Sequence, residues 1–94
     1  MQIDQDKLQN FMGRMVGEFG AVASAPLILL GDRLGLYKAM AGQGPMTAVQ
    51  VAEAAQVNGR YVREWLLAQA AAGFLRYDAA ADAFELEDEQ AMCF

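Results

Sequence analysis

The 94-residue chain has no histidine, one cysteine and two prolines, and its seven basic residues are outnumbered by twelve acidic ones. Without histidine it lacks the usual metal ligand and the usual general base near neutral pH. A lone Cys93 excludes an internal disulfide and a cysteine-rich zinc site. A net charge of −5 and a pI near 4.4 argue against a nucleic-acid partner, since domains that live on phosphate are usually strongly basic. The first six residues carry two acids and no basic start. The most apolar run, Ala21–Leu30, is short for a bilayer crossing and is interrupted by Pro26. These features predict a cytoplasmic protein with no membrane partner.

What is present is apolar: 55% of the chain is hydrophobic and a fifth is charged, far from the signature of disorder. The acids are concentrated at one end, with six of them and no base in residues 78–94. The length suits one compact domain. A domain this small that also carries apolar residues on an extra helix face is under pressure to associate.

Asp4 is placed to cap a first helix in which Leu8, Phe11, Met12, Met15, Val16, Phe19 and Val22 recur at helical spacing. Pro26 predicts a kink or short break before a new helical start at Pro26–Leu30. Gly42-Gln43-Gly44-Pro45 is a breaker, and Thr47 just beyond it can cap a helix over 48–56, buried through Val51, Ala52 and Ala55. A turn through Val57-Asn58-Gly59 leads to a helix over 60–72. Tyr61, Val62, Trp65, Leu66 and Gln69 would form its core stripe and Gly73 its stop. Two short runs carrying aromatics and leucines, Phe74–Tyr77 and Ala83–Leu86, flank a short loop and read as a hairpin. The expected fold is mainly α: a winged helix-turn-helix with long N-terminal helices and a small β-hairpin wing. Residues 1–45 would be dimerisation helices, 46–87 the winged-helix unit, and 88–94 the start of a linker.

The order Gly31-Asp32-Arg33-Leu34-Gly35-Leu36-Tyr37-Lys38-Ala39-Met40, Gly44-Pro45-Met46-Thr47 and Gly59-Arg60-Tyr61-Val62-Arg63-Glu64-Trp65-Leu66 resembles the N-terminal region of bacterial class I S-adenosylmethionine-dependent methyltransferases with a winged-helix head. The resemblance implies a head that dimerises through its N-terminal helices and covers the substrate side of a following Rossmann-like domain. It also implies S-adenosylmethionine as cofactor of the full-length protein. No strand followed by a G-x-G turn occurs in the 94 residues, so no cofactor is expected on this chain and no catalysis from it alone. The end at Met92-Cys93-Phe94, without a polar last turn, reads as a cut ahead of the missing methyltransferase domain.

Two sets of residues are candidates for contact with partners. Leu8, Phe11, Met12, Met15, Phe19 and Val22 would form a homodimer interface in which the stripe meets its own copy. Its methionines and phenylalanines also suit the wall of an apolar ligand site, with Trp65 opposite. Arg60 and Arg63, at the start of the second helix, and Arg76 on the wing stand where a DNA-binding regulator would touch its site. The plainer expectation is that Arg60 and Arg63 pair with Glu64 or neighbouring carboxylates on a solvated face. The acids Glu85, Glu87, Asp88 and Glu89 lack the spacing of a calcium loop.

Overall fold

The computed structural model describes residues 1–94. It contains, in chain order, α1 (Gln5–Arg33), α2 (Leu36–Met40), β1 (Met46–Thr47), α3 (Ala48–Ala55), α4 (Gly59–Ala71), β2 (Arg76–Asp78), β3 (Ala83–Glu85) and α5 (Asp88–Ala91). The expected winged helix-turn-helix is present: α3 and α4 form the helical pair, and a small antiparallel sheet forms the wing.

Local chemistry sets most of the boundaries. The Asp4 carboxylate accepts from the Asp6 and Lys7 amides and opens α1, while Arg33 in the last turn complements the helix dipole. Thr47 and Gln50 form a reciprocal capping box on α3. Asn58 caps α4 through the Arg60 amide. Gly73, at φ 85°, ends α4 in the left-handed region, and the Gly73 and Phe74 amides return to the carbonyls of Ala70 and Gln69. This pairing is the Schellman pattern, which favours glycine at that position.

The break expected at Pro26 does not occur; α1 is continuous from Gln5 to Arg33. Proline deletes one N–H, the donor that would meet the Val22 carbonyl. Pro26 and Val22 both face solvent, where water can take that donor's place. The turn beyond is clamped to the head, because Leu27 and Ile28 pack on the core and Trp65 Nε1 donates to the Leu27 carbonyl at 2.8 Å.

The core joins α2 (Leu36, Tyr37, Met40) to α3 (Val51), α4 (Val62, Trp65, Leu66) and the wing (Leu75, Phe84, Leu86). Tyr61, expected in that core, is 68% exposed. It lies on the edge of the stripe that α4 turns away from the sheet. The wing has three strands where two were expected, in the order β1-β3-β2, with Met46 opposite Phe84 and Tyr77 opposite Phe84 on the other side. Two-residue β1 is too short for any alternation to reveal it. The hairpin strands are also shorter than expected, since Phe74 and Leu75 belong to the turn after α4 and Leu86 lies beyond β3. Residues 88–91 form a short helix with its own capping box from Glu87 and Gln90.

Candidate functional site

Two surfaces carry the residues singled out above. On the helix-turn-helix face, α4 begins beside Asn58, which puts Arg60 and Arg63 on its first two turns. The Arg63 guanidinium donates to both carboxylate oxygens of Asp82 in the wing loop, at 2.9 and 3.3 Å, and the Tyr77 hydroxyl donates to the same carboxylate at 2.9 Å. Asp82 reaches this position from a left-handed backbone at φ 48°, which aspartate tolerates better than most residues. The hydrogen bonds from Arg63 and then Tyr77 hold the Asp82 carboxyl below its ordinary range, and the same bonds raise the Arg63 and Tyr77 values.

Arg76 pairs with Glu87 at 3.4 Å. Two of the three candidate DNA-contacting arginines are therefore bound to carboxylates. The partner of Arg63 is Asp82 and not Glu64, and Arg60 has no ion pair. The Arg63–Asp82 pair spans 19 residues, a separation at which no local spacing rule identifies partners.

The second surface is α1. Every residue from Met1 to Ala23 is exposed, so no other element packs on the first two-thirds of the helix. Leu8, Phe11, Met12, Met15, Phe19 and Val22 all stand in solvent, with Phe11, Phe19 and Val22 at 59, 69 and 74% exposure. The structure thus places all six on one uncovered rod. The apolar line does not stop at Val22: Pro26 and Leu29 continue it, also exposed. The expected break at Pro26 concealed this continuation from sequence reading.

At about 100° per residue, α1 carries three separate faces. The apolar line occupies one. Ser24, Leu27, Ile28 and Gly31 turn about 160° away, toward the protein's own core. Lys7, Arg14, Glu18 and Asp32 form a third, charged face, on which Arg14 and Glu18 pair at 3.4 Å. The helix is 29 residues long and, by length and mean hydropathy alone, is apolar enough to cross a membrane.

Near the base of the rod, Leu30, Leu34, Leu36, Val57, Tyr61, Val62 and Trp65 line an all-apolar cleft of about 30 Å³. Beneath it Trp65 meets Tyr37 edge-on with centroids 5.0 Å apart, and the Tyr37 hydroxyl donates to Gln69 Oε1. Burial, aided by Asp32, pushes the Tyr37 phenol up to about 12. The acidic residues Glu85, Glu87, Asp88 and Glu89 border an open depression of about 400 Å³ beside Gly42 and Gly44, and no three acidic, cysteine or histidine side chains converge to hold a metal ion.

No curated protein matches the chain. A family model described as the Rv2258c-like winged HTH domain matches residues 22–94, the span from the middle of α1 through the wing to Phe94. The chain belongs to the Rv2258c-like winged helix-turn-helix domain family.

Proposed function

We propose that this winged-helix domain is a dimerising, substrate-side head of a S-adenosylmethionine-dependent methyltransferase, without catalysis of its own. The observation that carries the dimerising part is the uncovered apolar line on α1. A free rod of large apolar side chains in water is unfavourable by about 25 cal/mol per Å² of apolar surface, and the face that α1 uses for its own core points elsewhere. The methyltransferase part rests on the resemblance of Gly31–Met40, Gly44–Thr47 and Gly59–Leu66 to such heads.

In this reading S-adenosylmethionine is a ligand of the neighbouring methyltransferase domain, because the residues of the head do not fit it. Strands lead into helices at two places. At β1–α3 the Thr47–Gln50 box occupies the amides that would meet a phosphate or carboxylate, and at β3–α5 Glu87 does the same with a negative charge. Neither connection has the glycine-rich turn that lets a nucleotide approach backbone.

Light scattering across a dilution series tests the association. A mass of twice 10.2 kDa at micromolar concentration, reduced to one by the double change Phe11→Ser and Phe19→Ser, is the expected result; a monomer at high micromolar concentration overturns it. Calorimetric titration with S-adenosylmethionine is expected to give no heat from these 94 residues, and binding would refute the assignment of the cofactor to a neighbouring domain.

A second reading, a DNA-binding regulator, is favoured by one observation: Arg60 stands without an ion pair at the head of α4, the recognition helix of the motif. It predicts salt-sensitive duplex binding, measured by anisotropy, that Arg60→Ala weakens. Absence of binding at low salt removes it.

A further inference from the structure

We infer that the second copy lies antiparallel along α1, in the register that sets Phe19 against the partner's Val22. This rests on the dimer reading above and specifies its geometry. Leu8, Met12, Met15, Phe19, Val22, Pro26 and Leu29 follow one another at alternating steps of four and three, the repeat of a two-helix seam. All lie on the exposed face. The next member of the repeat, four residues after Leu29, is Arg33, also exposed.

Arg33 decides the direction. In a parallel pair equal positions meet, so Arg33 would face the partner's Arg33 and Phe19 the partner's Phe19. An antiparallel pair brings the two kinds of seam position together. Centring it between Gly20 and Ala21 pairs Phe19 with the partner's Val22, Met15 with the partner's Pro26, Met12 with the partner's Leu29, and Leu8 with the partner's Arg33. Each large side chain then meets a smaller or more flexible one. The Arg33 stem lies on an apolar residue, and its guanidinium is within about a turn of the partner's Asp4, the N-cap carboxylate of α1. The opposed helix dipoles also favour this direction.

The seam is long enough for a stable contact. From Leu8 to Leu29 it runs about 32 Å at 1.5 Å per residue. Phe11 and Phe19 alone leave on the order of 250 Å² in solvent, about a third of the roughly 800 Å² per partner typical of specific interfaces. The charged face of Lys7, Arg14, Glu18 and Asp32 remains in water, which favours a protein partner over lipid surrounding the helix on every side.

Crosslinking reads the direction. On a Cys93→Ser background, Met12→Cys and Leu29→Cys chains are treated with a short bis-maleimide, separately and as a 1:1 mixture, while light scattering reports mass. Dimers that crosslink at least tenfold faster in the mixture than in either single variant are the expected result. Efficient crosslinking of the single variants overturns the antiparallel direction but leaves the dimer standing. A dimer that crosslinks in no combination overturns α1 as the interface. A monomer that instead sediments with phosphatidylcholine–phosphatidylglycerol vesicles overturns both this register and the dimer reading.

Discussion

The first two-thirds of α1 and the head built on α2–α4 and the wing use the same kinds of apolar residue, yet their surroundings are opposite. In the head, Val51, Leu66, Met40 and Phe84 are fully enclosed. On α1, Leu8, Met12, Phe19 and Val22 touch nothing but neighbours on their own helix and water. Apolar composition therefore says how much burial a chain needs and not where the burial takes place. A helix satisfies its own backbone hydrogen bonds and can stand out as a rod, but helices are marginal in water without tertiary packing. The head supplies the anchor at one end of the rod, through Leu27, Ile28 and Gly31, and the remainder is the surface that the proposed second copy would cover.

The largest effect that would sharpen this contrast comes from emptying the head. Phe84 is fully buried on the central strand between Met46 and Tyr77. Phe84→Ala is expected to cost about 3–5 kcal/mol, read as a lower urea midpoint. A loss below 1 kcal/mol would mean that the wing does not close this core.

The next effect is a pH dependence confined to the head. The Tyr37 phenol is held neutral by burial and by Asp32, with its value near 12, against about 10 for a free tyrosine. Below pH 10 both the folded and unfolded forms are protonated and its contribution is intact. As pH rises from 10 toward 12 the unfolded chain ionises first, and stability falls by about 1.4 kcal/mol per pH unit, about 2–3 kcal/mol in all. Tyr37→Phe is expected to remove this fall while lowering stability at pH 7, because the variant leaves Gln69 Oε1 without its donor. An unchanged alkaline profile in the variant would show that other groups govern it.

Sequence legibility follows the same division. Thr47, Asn58 and Gly73 marked their helix ends because capping is a local reaction of a side chain with nearby backbone. Val62, Trp65 and Leu66 were legible as core from their spacing, whereas Tyr61 was not separable from them. Which edge of a broad stripe turns outward depends on where the wing sits. Pro26 was misleading for a similar reason: the cost of one missing N–H is local, but the clamp formed by Trp65 and the Leu27 carbonyl bridges 38 residues. The α1 residues named for an interface fall on one exposed face because they repeat at helical spacing, and the continuation of that face through Leu29 was hidden by the assumed break. The ion pair of Arg63 with Asp82 depends on a left-handed residue in the wing loop, and no pattern in the sequence carries it.

The glycines of α1 test the boundary between rod and head with a single kind of substitution. A Cβ on Gly31 would run into the Trp65 ring and lie 2.8 Å from Tyr37 Cε2, whereas at Gly13, Gly17 and Gly20 it meets nothing within 4 Å. Gly31→Ala is expected to lose about 1–3 kcal/mol by overpacking, larger than the helix-propensity gain of about 0.8–1 kcal/mol. Gly13→Ala and Gly17→Ala are expected to show that gain alone.

The smallest effect is the most diagnostic. Phe19→Ser removes a large apolar side chain without opening a cavity, so in the dissociated regime it should shift head stability by no more than about 0.5 kcal/mol. At higher concentration the two proteins should diverge. A dimerising wild-type chain gains stability by mass action and its Tm rises with protein concentration, while the Tm of the Phe19→Ser chain stays nearly level. Thermal melts over a hundredfold concentration range compare them directly. Parallel concentration dependence in both chains would place the association elsewhere on the molecule, and a Phe19→Ser loss of several kcal/mol at the lowest concentration would mean that the rod folds back onto the head instead of standing free.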